Sequence, residues 1–215
     1  MARLPKQKGP TCGAYATAYY TYFIEKEKGK EVQVPIVEKI NEIFNKVQFS
    51  GGTGSDPIEI KKYLKENLKD AEIYIPEKLD DNMKNLVDLF LIKRGENYQK
   101  YTESLEQLID DYAITLWYPT GLFEDKKLVD LMKNKVREGF KPIEGDTQYI
   151  MDKLSSLHYM VARAAENGIE VIDSNNPYDE SGNEIWEPVS VSSSNVNFYS
   201  VNNMRFTRLL IKCKK

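Results

Sequence analysis

The hydrophobic pattern changes period at about Leu157, and that change constrains the fold more than any other feature of the chain. Leu157–Ala164, Gly168–Asp173, Ile185–Val191 and Met204–Cys213 read as strands, separated by Asn, Gly, Ser and Pro clusters. Upstream, the dominant spacing is helical. Residues 12–28 hold Ala14, Ala16, Ala18, Phe23 and Ile24, with Tyr15, Tyr19 and Tyr22 at helical spacing and Gly29 as a stop. Ile36, Ile40, Ile43 and Phe44 share one face over about 35–46. Ser55-Asp56-Pro57 then offers N-cap residues and a first-turn proline for a helix reaching about Leu68. Helical spacing returns over about 79–94 and 124–138, around strand candidates at Ala71–Ile75 and Tyr112–Tyr118 and before a turn region at Gly139–Gly145. The segregation predicts an α+β fold, mainly helical over about 1–110 and mainly antiparallel β over about 111–215, with a cleft where the parts meet.

Composition narrows the function. At 215 residues and 41% hydrophobic, one domain or two small lobes are expected. Thirty-three acidic and 30 basic residues give a net charge of −3 with no basic stripe, so nucleic-acid binding has no electrostatic footprint. A single histidine excludes a His-rich metal centre, and two cysteines 201 positions apart (213 minus 12) exclude a cysteine-paired zinc module. Neither a metal nor a cofactor is expected. The polar N-terminus and the lack of an apolar run of ~20 residues predict no signal peptide and no membrane span. A cytoplasmic location follows, or a secreted bacterial effector if a signal was removed.

Chemistry concentrates around Cys12, in Gln7-Lys8-Gly9-Pro10-Thr11-Cys12-Gly13-Ala14. Gly9-Pro10 forces a loop, so the helix begins at or just before the cysteine. A thiol at a helix N-terminus meets unpaired N–H groups and the positive end of the dipole, both of which favour the nucleophilic thiolate. Alone, such a cysteine would be read as a small buried hydrophobe. The only histidine, His158, opens the strand Leu157–Ala164, which a turn at Glu166-Asn167-Gly168 connects to the strand ending in Ile172-Asp173. Paired as a hairpin, these strands bring His158 and Asp173 to the same open end. Nucleophile, base and orienter are then all present, the arrangement used for acyl transfer. Gln7 offers a side-chain amide to a developing oxyanion, together with the Cys12 backbone N–H. Trp117 and Trp186 are candidates to shield the His–Asp pair, though each also reads as plain core. Cys213, beside basic residues on the last strand, reads as structural.

The order Gln7, Cys12, His158, Asp173 resembles the papain-like cysteine peptidases. Within that superfamily the Gly-Pro-Thr-Cys-Gly start, the Leu-His-Tyr-Met-Val strand and the Val-Ile-Asp-Ser-Asn close look most like the bacterial branch of bacteriocin-leader-processing (C39-like) peptidases. The resemblance implies a two-lobed fold and a peptide or protein substrate cleaved through an acyl-thioester. The same chemistry permits an acyltransferase or deamidase (transglutaminase-like), and the fold also permits a catalytically inert interaction module. The glutamine stands five positions before the cysteine (12 minus 7), where members usually show six. Asp173 takes the orienter position, with Asn175 and Asn176 close enough to compete. Gly51 and Gly52 resemble the glycine-bearing wall that pairs with extended substrate, where the absence of a side chain permits close approach; they also read as an ordinary flexible loop.

Overall fold

α1 (Cys12–Glu27), α2 (Val37–Val47) and α3 (Pro57–Leu68) open the chain where the apolar spacing predicts them. They are followed by β1 (Ala71–Pro76), α4 (Asp81–Phe90), β2 (Gln99–Tyr101), α5 (Leu105–Leu108) and β3 (Tyr112–Pro119). A 3₁₀ turn at Leu122–Glu124 leads into α6 (Lys126–Arg137) and α7 (Glu144–Leu154). The remainder is β4 (His158–Ala165), β5 (Gly168–Ile172), β6 (Glu187–Pro188), β7 (Ser190–Ser192), β8 (Phe198–Val201) and β9 (Met204–Cys213). The structure is a computed structural model that describes residues 3–49, 54–91, 95–137, 144–166, 168–192 and 198–214.

The architecture is α+β: seven α-helices among the described residues, and a mixed sheet in the order β2-β1-β9-β3-β4-β5-β6, with the β7–β8 hairpin attached to β9. β1 and β2 run parallel; the other pairs are antiparallel. The sheet crosses the divide expected near residue 110. β1, from the helical part, pairs directly with β9, and α6 and α7 follow β3.

Alternation of side chains gives this sheet two buried faces. Ile114 and Leu116 of β3, Tyr159 and Val161 of β4, and Leu209 and Ile211 of β9 enter the larger core on the helical side. Ala113 and Trp117, Met160 and Ala162, and Phe206 and Leu210 enter a smaller core on the other side. Between Thr115↔Leu210 and Trp117↔Phe206 the register slips, leaving Thr207 and Arg208 as a bulge, with Arg208 at φ +68° and the Thr207 hydroxyl donating to Leu116 O (2.7 Å).

α1 runs through the larger core. Eleven of its 16 residues are buried, from Cys12 to Ile24, as expected for a helix that is apolar on every side. It packs on α2, α3, β3 and β4. Gly29 ends it in the left-handed region (φ +71°), with its N–H on Lys26 O. At the other end Gly13 is favoured for a steric reason: a Cβ there would lie 2.2 Å from Ser55 Cβ, so any larger residue must displace Ser55. The start of α3 therefore sits directly against the residue that follows Cys12.

Candidate active site

Three segments converge where α1 begins. The first is the loop before the helix. Gly9 adopts φ +70°, Thr11 N–H donates to Gly9 O (2.9 Å), and the Thr11 hydroxyl donates to Lys8 O (2.8 Å). Thr11 is the N-cap, yet its side chain makes no capping bond, so the first-turn N–H groups lack the usual side-chain acceptor. Cys12 follows as the first helical residue, 7% exposed and not disulfide-bonded. Its thiol lies 3.8 Å from Leu157 O, the carbonyl immediately before His158.

The second segment is the β4–β5 hairpin. His158 opens β4, and Asp173 follows the last paired residue, Ile172, which faces Val161. This register is centred at 166.5 (the mean of 161 and 172), one residue later than the midpoint of His158 and Asp173 at 165.5. His158 Nε2 and Asp173 Oδ1 are 2.7 Å apart and both side chains are largely buried. The same Oδ1 accepts the Asn175 N–H (2.8 Å), and Asn176 N–H donates to Asp173 O (3.0 Å). Of the three candidates for orienting the imidazole, the Asp173 carboxylate is the group in contact with it, and Asn175 supports that carboxylate.

The electrostatics follow from these contacts. Burial disfavours a charged His158, but hydrogen bonds to Asp173 and to the Cys12 side chain outweigh it and push the imidazole up to about 10. With Nε2 on Asp173, Nδ1 is the nitrogen left for Cys12. Burial also opposes the Asp173 carboxylate, and the His158 and Asn175 contacts reverse that, holding it below the usual range. Tyr159, fully buried beside Cys12 and Asp56, is raised by desolvation, and its hydroxyl donates to Ser55 O (3.1 Å).

The third segment carries Gln7. Its backbone N–H donates to Ser174 O (2.7 Å), its Nε2 donates to Gly9 O (2.7 Å), and its Oε1 accepts the Ser174 hydroxyl (2.5 Å). The glutamine is thus pinned between the Cys12 loop and the residue after Asp173. Ser174 is the participant that sequence reasoning missed; its signal was its place directly after the orienter, in a turn.

Gly51 and Gly52 lie outside the described residues. Their neighbours close the loop base: Gln48 and Ser55 form an antiparallel bridge, and Gly54 and Ser55 line a cavity of ≈ 30 Å³ together with Cys12, Phe49, Phe90 and Leu154. A larger cavity, ≈ 690 Å³, lies between residues 78–83, 118–124 and 205–208 and includes none of Cys12, His158 or Asp173. Trp117 stands opposite His158 in the register but buries its ring in the smaller core, with its N–H on Thr115 Oγ1 (2.7 Å). Trp186 packs against Phe23 and Tyr112, with the Arg163 guanidinium 4.0 Å from its ring centroid. Cys213 remains a free thiol pushed up by burial. No helix among the described residues is long and apolar enough to cross a membrane. No family model matches the chain, and neither the curated proteins nor the solved structures provide a match.

Proposed function

We propose that the protein is a papain-like cysteine peptidase of the two-lobed type, acting on peptide or isopeptide amides. The observation that carries this reading is the buried His158–Asp173 contact at 2.7 Å beside a free thiol, Cys12, which opens a buried helix and lies 3.8 Å from the Leu157 carbonyl directly before the histidine.

In the reaction His158 Nδ1 takes the Cys12 proton and the sulfur attacks the amide carbonyl. A C–S bond forms and the carbonyl electron pair moves onto oxygen, met by the Cys12 N–H and the Gln7 amide. One such donor is worth ~3 kcal/mol. The C–N bond then breaks as His158 protonates the departing amine, leaving a thioester. Water, deprotonated by His158, attacks that thioester and releases the acid and the thiol. Asp173 fixes the imidazole and favours its charged form throughout. Both cysteines are free, which suits a reducing compartment such as the cytoplasm.

Incubation with peptide and protein substrates, followed by mass analysis, tests the reading. Cleavage by wild type, absent in Cys12→Ala, is expected. A deamidation shift or a cross-link without cleavage would replace the hydrolase by a deamidase or transferase, and equal labelling of wild type and Cys12→Ala by a thiol-directed acyl probe would remove the nucleophile.

A further inference from the structure

We propose that the ≈ 690 Å³ cavity between β9, the start of α4 and the 3₁₀ turn is a second binding site, for a zwitterion: an α-amino acid or short peptide with free termini and an apolar side chain. The volume falls within the ~300–1,000 Å³ of small-molecule sites. Six charged side chains line it, three of each sign: Lys78, Arg205 and Arg208 against Asp80, Asp81 and Glu124. A ligand of one sign would meet like charges as well as opposite ones, which selects against it. A zwitterion satisfies both sets. Burial then orients it, because Arg205 and Arg208 are half-buried on β9 whereas Asp80, Asp81 and Glu124 are exposed. The carboxylate enters first, onto the arginines, and the ammonium stays at the acidic rim. Leu79, Met83 and the edge-on ring pair Tyr118–Phe123 (centroids 5.0 Å apart) offer the apolar surface for a side chain.

The backbone points to the same place. Arg208 lies in the β9 bulge at φ +68°, a conformation strained for any residue but glycine, and the Tyr101 hydroxyl holds it there by donating to Arg208 O (3.1 Å). Bulges re-aim side chains, and strain of this kind gathers at ligand clamps. Arg205 hydrogen-bonds the Tyr118 side chain, but a guanidinium carries five N–H donors, more than one hydroxyl can take. Tyr118 also registers both signs of charge: burial pushes it up, Arg205 and Arg208 pull it down, and Asp80 raises it again. The site is separate from the candidate active site. Trp117 of β3 stands between them in the register, facing His158 on β4 and the cavity residue Phe206 on β9. The assignment therefore does not depend on the peptidase reading.

Calorimetric titration of the whole chain tests the proposal, with L-phenylalanine, glycyl-L-phenylalanine, its N-acetyl form, its C-terminal amide and inorganic phosphate as titrants. Saturable binding of phenylalanine or of the dipeptide is expected, and the tighter of the two identifies the source. Amidation, which removes the carboxylate from half-buried arginines, should weaken the dipeptide about 10-fold or more. Acetylation removes the ammonium from an exposed rim and should weaken it about 3-fold. Phosphate should not compete. Arg208→Gln should weaken the dipeptide about 10-fold and leave the amide unchanged. The Asp81→Asn/Glu124→Gln double variant should weaken the dipeptide and not the acetylated form.

Binding of neither phenylalanine nor the dipeptide overturns the assignment, and so does equal binding of the dipeptide and both blocked forms. Phosphate that displaces the dipeptide, or an acetylated form that binds more tightly than the parent, would make the cavity an anion site instead. Should Arg208→Gln fail to fold, Arg208→Gly decides, since glycine accepts the positive φ while removing the guanidinium; unchanged dipeptide binding in that variant also overturns it. Cys12→Ala keeps the two readings apart. Dipeptide binding retained there supports the cavity whatever becomes of the peptidase, and binding lost there moves the ligand to the Cys12 site and removes this one.

Discussion

The two cysteines occupy comparable places and differ in almost everything that sets reactivity. Cys12 is the first residue of α1 and Cys213 the last of β9; both are free thiols against the same larger core. Around Cys12 stand an uncapped helix start, the imidazole of His158 and, behind it, Asp173. Around Cys213, burial raises the thiol, and the Tyr20 hydroxyl accepts the Cys213 backbone N–H at 2.7 Å. This tyrosine–cysteine contact ties down the end of a strand. Reactivity is thus decided by what the neighbours can do with a proton, and burial alone does not decide it.

That contrast can be broken most sharply at the nucleophile. Cys12→Ala should abolish labelling by an acyl probe, whereas Cys213→Ala should leave it intact; labelling that follows Cys213 would invert the comparison. The next largest effect belongs to the carboxylate. Asp173→Ala should lower kcat/KM by about 10²-fold and move the alkaline limb of its pH profile down from about 10, because the group that holds His158 charged is gone. The sign for stability follows the same pair. The contribution of His158 is complete below its unfolded pKa of about 6.5 and is lost as pH rises through about 10. That of Asp173 is present above its unfolded pKa of about 3.9 and is lost as pH falls through its depressed folded value. Thermal melts across pH should show a plateau between about pH 3.9 and 6.5, with stability falling on either side and Asp173→Ala eroding the plateau.

A smaller effect is expected from packing beside the sulfur. Gly13→Ala must displace Ser55, whose Cβ would be 2.2 Å from the new methyl, at a cost of about 1–3 kcal/mol in chemical denaturation. It should also slow acylation of Cys12, because the first turn of α1 has to shift. Smallest of all, Tyr20→Phe removes the acceptor for the Cys213 N–H and should cost about 1 kcal/mol with Cys12 labelling unaltered. A loss of labelling in that variant would mean that the two thiol environments are coupled.

Legibility in the sequence followed how local each determinant is. α3 was readable because Asp56 accepts the Ile58 N–H (2.9 Å) and Pro57 opens the helix, both within one turn. β9 runs from Met204 to Cys213 as its pattern predicts, since it is buried on both faces. The hairpin that joins His158 and Asp173 was readable from its turn, though not to the residue, because alternation fixes which face is buried before it fixes register. β2 and α5 were missed, being three and four residues long and held by contacts distant in sequence. Ile185–Val191 was expected as one strand and forms two, β6 ending at Pro188, which has no N–H for a ladder. α7 lies across the end of the expected Gly139–Gly145 turn, its apolar positions thinned by Gly145, Asp146 and Thr147. At the site, residue types and order were legible. The division of Gln7's amide between Ser174 and Gly9 was not, because it depends on a contact between segments 167 positions apart.

The place of β9 between β1 and β3 has a kinetic consequence. Ile73 and Ile114 both pair with Ile211, so among the described residues the two wings of the sheet meet through a strand far along the chain. Contacts of such separation require loop closure before they stabilise anything, and chains dominated by them fold in milliseconds to seconds. The β4–β5 pairing joins segments adjacent in sequence, so its loop-closure cost is small. Cys12 lies 146 positions before His158 (158 minus 12), so bringing the thiol beside the imidazole closes a far longer loop than pairing His158 with Asp173 does.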